Sequence, residues 1–165
     1  MDSLRLFAPV YLLTSTERCY RCGSIAPVVA IAARQFVDTA GDEVEVAPQV
    51  EPILVHDVTA MPDAVLKLIH EIHPHYDKRY SKMAEKEYFM NHCPRCKAHF
   101  GDFFMFSEPD GAFFPMTDEA VAAIEIRPLV RTGTIEVEAT YSAGSAADIF
   151  AKAKICPPLA TTEIR

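Results

Sequence analysis

The chain has 165 residues, half of them hydrophobic and 24% charged, with a formal net charge of −7 and a pI near 5.3. This composition excludes a disordered chain, and the acidic balance argues against a general role on nucleic acid or anionic lipid, where a basic surface supplies most of the affinity. One domain over residues 1–165, with a short tail from about residue 156, is long enough to bury a core covering roughly two-thirds of the unfolded surface.

The opening stretch, MDSLRLFAPVYLL, has an acidic residue at position 2 and a proline inside a short apolar run. It lacks the basic start and small-residue cleavage site of a signal peptide, and no apolar run approaches the ~20 residues of a membrane-spanning helix. A soluble, cytoplasmic protein with no membrane partner is expected.

In chain order, LRLFAPVYLL and PVVAIAARQFV are rich in β-branched and aromatic residues and are predicted as strands joined by a Cys-x-x-Cys turn. DEVEV alternates and PQVEPILVHDV is apolar with prolines, which predicts one or two further strands at an edge. Thr59 is placed to cap a helix through AVLKLIHEIH, with Val65, Leu66, Ile69 and Ile72 on one face and Pro74 as its stop. YDKRYSKMAEKEYFMNHC reads as a charged turn leading into a short strand. A second Cys-x-x-Cys turn follows, and GDFFMF is predicted as the returning strand of a hairpin.

SEPDGAFFP is a turn by composition, and 118–124 is predicted as a short helix. TGTIEVEATY alternates as a strand with Ile135, Val137 and Ala139 on one face, and Ser145 is placed to cap a last helix, AADIFAKAKI. The fold class is therefore α+β: a mainly antiparallel sheet with two or three helices.

The chemistry is concentrated in two turns. CYRCGS supplies Cys19 and Cys22, and NHCPRC supplies Cys93 and Cys96. In a reducing compartment such pairs point to metal rather than to disulfides. Thiolates three positions apart chelate one ion from a tight turn, and two such turns complete a tetrahedron of sulfurs, so one structural Zn2+ is expected to join the N-terminal segment to the central hairpin. Gly23 permits the left-handed backbone often found directly after the second cysteine of such a turn, and Lys97 holds the equivalent place in the second turn.

Competing readings are weaker. A redox dithiol belongs at the start of a helix beside a βαβ unit, whereas strand-like segments follow both pairs here. A zinc deaminase requires His-x-Glu and a proline before the cysteine pair, and the chain has neither. Four cysteines also close the shell that a catalytic zinc keeps open. His92 and His99 flank the second pair as reserve ligands. A second metal site can be drawn with His70, His73 and His75 in HEIHPHYD, although solvated histidines near a helix C-terminus are the plainer reading. Cys156 stands apart. Phe100, Phe103, Phe104, Met105, Phe106, Phe113 and Phe114 are expected to pack as core beside the metal turn.

Charge is unevenly spread. Residues 40–63 carry six acids and no Lys or Arg, residues 101–126 carry six more acids without a base, and residues 64–100 hold seven of the sixteen basic side chains. Such runs form solvated faces or an acidic docking surface for a basic partner.

CYRCGSIAPVVAI and YFMNHCPRCKAHFGDFFMFSEPDGAFFP together resemble small uncharacterised bacterial zinc-binding proteins with a cysteine knuckle, Cys-x-x-Cys-Gly, followed by Asn-His-Cys-Pro-x-Cys and Gly-Asp-Phe-Phe. The resemblance covers about a quarter of the chain. It implies a bacterial or phage origin and Cys19, Cys22, Cys93 and Cys96 as joint ligands. Lys97 departs from the glycine usual at its position.

The expected function is non-enzymatic: protein–protein interaction, in its most concrete form an immunity or antitoxin-like adaptor that neutralises a basic toxin. The alternatives are a nucleic-acid-binding zinc ribbon using Lys78, Arg79, Lys82, Lys86, Arg95 and Lys97, and an enzyme whose pocket gathers His56, Asp57 or the HEIHPHYD histidines.

Overall fold

Strand β3 (Ile25–Asp38) is the spine of the fold. Its apolar run is continuous because both faces are buried. Val29, Ile31 and Ala33 point into one hydrophobic cluster, while Val28, Ala30 and Ala32 point into another. The structure, a computed structural model, describes residues 2–39 and 47–159. DEVEV, predicted as a strand, lies outside the described residues.

Strands β1 (Asp2–Phe7) and β2 (Val10–Arg18) run along one side of β3, and β4 (Gln49–Ala60) pairs with the other side. LRLFAPVYLL is thus two strands rather than one, broken at Ala8 and Pro9. The sheet is completed by β8 (Glu125–Val130), β9 (Thr134–Ser142) and β10 (Lys154–Ile155), in the order β1-β9-β4-β3-β2-β8-β10. Because β1 pairs with β9 and also with the end of β3, strands β1, β9, β4 and β3 close on themselves. Leu4, Leu6, Leu12, Phe36, Ile53 and Val137 are among the side chains filling the enclosed core.

Helix α1 (Asp63–Ile72) packs on that core through Val65, Leu68 and Ile69, with Leu66 and Ile72 partly buried at its margin. Its N-cap is Pro62, and Thr59 lies within β4 rather than capping the helix. His73 closes the helix with a backbone hydrogen bond to Ile69.

A second, three-stranded sheet follows, built from β5 (Tyr76–Ser81), β6 (Lys86–His92) and β7 (His99–Phe100). YDKRYS is therefore a paired strand rather than a turn. GDFFMF also departs from expectation: the returning strand stops at Phe100, and α2 (Asp102–Phe106) begins after Gly101. Helical geometry buries Met105 and Phe106 and leaves Phe103 60% and Phe104 49% exposed, so the aromatic run is divided between core and surface. Phe100 and Phe113 join the core.

With α3 (Asp118–Ala123) and α4 (Ala146–Lys152) the described residues hold four helices, not two or three. Thr117 caps α3 by accepting from the Ala120 amide. Ser145 occupies the N-cap of α4 without a side-chain cap bond. The α+β class stands. The expected C-terminal tail begins ordered: Lys154 and Ile155 pair in parallel with β8, and the Cys156 amide donates to the Ile126 carbonyl at 2.8 Å.

Gly111 fixes the loop that brings Phe113 under α2. A Cβ there would lie 2.3 Å from the Phe104 carbonyl oxygen and 2.7 Å from that of Met105, both of them backbone atoms that cannot swing aside. Gly111→Ala is expected to lower stability by about 1–3 kcal/mol, as overpacking does, while Gly23→Ala, with open space around it, meets only the left-handed penalty of about 1–2 kcal/mol. Urea denaturation of the two variants checks the order.

Candidate metal centre

Both cysteine pairs sit in hairpin loops of the same design. The first loop, Cys19 to Ser24, follows the pair Arg18↔Ile25 that ends the β2–β3 ladder. The second, Cys93 to Ala98, follows His92↔His99 between β6 and β7. In the first, the Cys19 amide donates to the Ser24 carbonyl and the Gly23 amide to the Cys19 carbonyl. In the second, the Cys93 amide donates to Ala98 and the Lys97 amide to Cys93, all four bonds at 2.8–2.9 Å. The backbone after each second cysteine is left-handed, with φ +75 at Gly23 and φ +65 at Lys97. Lys97 accepts that strained conformation, and its ammonium turns back to donate to the Pro94 carbonyl at 3.2 Å.

The loops meet tip to tip. Cys19 Sγ lies 3.5 Å from Cys96 Sγ, Cys22 Sγ lies 3.7 Å from Cys93 Sγ, and all four sulfurs fall within 4.8 Å of one another. These separations are too long for a disulfide, and all four cysteines are free. A tetrahedral thiolate site with metal–sulfur bonds of about 2.3 Å has sulfurs about 3.8 Å apart, close to the spacing seen. The four-cysteine group therefore fits one tetrahedral metal ion.

Electrostatics explain why an ion belongs there. The Cys96 amide and then the Ser24 hydroxyl hold the Cys93 thiol down to about 6, and the Ser24 hydroxyl, 2.9 Å from Cys22 Sγ, lowers Cys22 as well. Cys96 is the opposite case: against the Ala98 amide, which lowers it, burial and the neighbouring thiols push it up to about 11. The Ala98 amide does not suffice to ionise Cys96. A dication would remove the mutual repulsion that holds the last proton.

Side-chain bonds the sequence did not announce align the two loops. Asn91, buried on β6, accepts from the Val29 amide at 2.8 Å and donates to the Val29 carbonyl at 3.0 Å, acting as a strand partner where β4 does not yet pair with β3. Glu17 accepts from the Ala112 amide and Ser15 donates to the Ala112 carbonyl, both at 2.9 Å. The end of β2 is thereby fastened to the segment after α2.

The histidines divide differently from the sequence grouping. The His70 ring bonds the Tyr76 carbonyl at 2.7 Å and sits 3.4 Å from Asp77, apart from its sequence neighbours. His73 and His75 instead meet His92, which turns toward them, while His99 is exposed. Among the described residues, the four sulfurs are the ligand atoms that already converge.

His56 and Asp57 do come together, in a polar brace between β4 and the small sheet. His56 Nδ1 is 2.8 Å from the Asp57 carboxylate, Lys86 stands 3.7 Å from that carboxylate, and the His56 ring stacks on Phe106. Asp57 has φ +50, and its amide donates at 2.7 Å to Asp102, a buried carboxyl at the start of α2. The Asp102 amide in turn donates to the Tyr88 hydroxyl at 3.3 Å.

No protein-family model matches the chain, and neither a curated protein nor a solved structure matches it. Among the described residues, no helix is long and apolar enough to cross a membrane.

Asp102 makes stability pH-dependent. Burial, opposed by the Asp57 amide, raises its carboxyl from 3.8 to about 7. Between these values the native state holds a proton that the unfolded chain releases, so stability is full below about pH 4 and falls as pH rises through 7. His73 acts in the reverse sense. Burial lowers it from 6.5 to about 4, so its contribution is present above 6.5 and lost as pH falls. Asp102→Asn keeps the acceptor for Asp57 and removes only the first slope. Relative to the parent protein it is expected to gain on the order of a few kcal/mol between pH 5 and pH 8. Denaturant melts at the two pH values check this, the His73 contribution being common to both proteins.

Proposed function

We propose that this chain is a non-enzymatic bacterial zinc-binding protein in which one Zn2+, held by Cys19, Cys22, Cys93 and Cys96, clamps the β2–β3 hairpin to the small sheet and leaves the outer surface free to bind another protein. The observation that carries this reading is the closed shell of four sulfurs at tetrahedral spacing, which leaves no coordination position for substrate or water. All-thiolate tetrahedral coordination favours zinc among the common dications, since magnesium and calcium take oxygen. The resemblance of the two knuckles to small bacterial cysteine-knuckle proteins supports the assignment of origin and ligands.

The acidic balance of −7 suits a basic partner, and an immunity or antitoxin-like adaptor is the form we favour. Tyr20 in the first cysteine loop and Phe103 and Phe104 on α2 are exposed, as aromatic anchors of an interface are before binding. A second reading rests on a different observation. Arg21 and Arg79 both act on His99, and Arg79 and Lys97 on His92, so cations from both knuckles and β5 gather at one side of the small sheet, with Tyr20 exposed in the first knuckle. That face suits an anionic strand of nucleic acid.

Protein purified without added metal is expected to contain one zinc per chain, and a strong chelator or Cys96→Ser is expected to lower stability by several kcal/mol, because the binding energy of a structural metal is folding energy. Elemental analysis and thermal melting read both effects. Unchanged zinc content and melting in Cys96→Ser would sink the metal assignment. Binding to single-stranded DNA or RNA at low salt, measured by fluorescence anisotropy and lost on Arg79→Ala, would move the function to the second reading.

A further inference from the structure

Beside the cysteine centre the small sheet carries a row of imidazoles. His92 and His99 are cross-strand partners between β6 and β7, and the His92 amide donates to the His75 carbonyl at 2.9 Å, one step beyond the Tyr76↔Asn91 pair. Directly opposed residues of an antiparallel ladder share a face, so His75, His92 and His99 line one side of the sheet. His73, at the end of α1, reaches the same place: its ring centre lies 5.7 Å from that of His75, which lies 5.2 Å from that of His92.

Two of these rings carry an unexplained cost. His73 is 2% and His92 6% exposed, and Nε2 of His73 and Nδ1 of His92 are buried without a hydrogen-bond partner. A buried polar nitrogen with nothing to bond is unfavourable by about 1–3 kcal/mol, and two in contact through one neighbour ask for a common explanation. The His75 backbone and the Asn91 side chain lie close enough to act on the His73 ring, which sits edge-on to the His75 ring.

We propose that His73, His75 and His92 form a second metal site, for a transition-metal dication that takes imidazole nitrogen, with a coordination position left open. Spacing supports it. Imidazoles arranged tetrahedrally on one ion, with metal–nitrogen bonds of about 2.0–2.1 Å, place their ring centres about 5 Å apart. The ring nitrogens do not share one centre as the sulfurs do, and binding requires ring rotation. His75, the half-buried member, has room to make it. Asp77, two residues along β5 from His75, supplies nearby negative charge. The site differs in kind from the cysteine centre: neutral nitrogen ligands and an open position permit exchange, whereas four thiolates close their shell.

The test starts from protein whose zinc content has been counted, so that failure of the cysteine site is seen before titration begins. Cobalt(II) is then added and followed by visible and near-ultraviolet absorption. Nitrogen ligation is expected to give d–d bands for one further equivalent without new thiolate charge-transfer absorption. His75→Ala and His92→Gln are expected to lose that equivalent while keeping the zinc. His70→Ala, outside the cluster, is expected to keep both. No second equivalent in the parent protein, or an undiminished one in His75→Ala, overturns the proposal. Should His92→Gln lose its zinc or fail to fold, the half-buried His75→Ala variant decides alone.

Discussion

Four thiols within 4.8 Å of one another form the constraint on which the rest of the architecture depends. Left to itself such a cluster is unstable: ionised sulfurs repel, and protonated ones waste the amides aimed at them. A dication would hold it together, and the geometry around the cluster fits one. Two hairpin loops repeat one hydrogen-bond scheme, a lysine accepts a backbone better suited to glycine, and Ser24 bridges sulfurs of both pairs. The direct hydrogen bonds from Asn91, Ser15 and Glu17 are each worth about 1 kcal/mol net, while a structural zinc supplies on the order of 10 kcal/mol, comparable with the whole stability of a small domain. The hydrogen bonds set the alignment of the two sheets, and a metal at the cysteines would supply the force that keeps them aligned.

What the sequence disclosed follows from how local each signal is. The cysteine loops were legible because their spacing contains their chemistry, and β3 because PVVAIAA is apolar on both faces. GDFFMF departs from its strand reading because six residues cannot distinguish a strand period from a helical one. The choice was made by Met105 and Phe106 turning into the core and by Gly111 allowing the chain to pass against the carbonyls of Phe104 and Met105. YDKRYS looked like a turn because its charge masks a strand whose support comes from pairing with Lys86–His92.

Asn91 and Asp102 gave no warning at all. Each acquires its role from a partner more than forty residues away, Val29 for one and Asp57 for the other. No pattern within either segment encodes that meeting.

The tripeptide Asn91-His92-Cys93 shows how closely these roles are packed. Asn91 completes the hydrogen bonding of β3, His92 faces His75, and Cys93 enters the metal cluster, so three consecutive side chains serve the sheet, the histidine row and the clamp. Strand alternation makes this possible, because it sends neighbouring residues to opposite faces before the chain bends into the loop. It also ties the three together mechanically. A shift of β6 large enough to disengage Asn91 would drag His92 and Cys93 with it, and a metal bound at the cysteines opposes that shift. A metal clamp would therefore do more than stabilise the hairpin: it would hold the imidazole row and the surrounding cations Arg21, Arg79 and Lys97 in fixed register. A ligand of that face would meet a preformed surface and lose little affinity to ordering it.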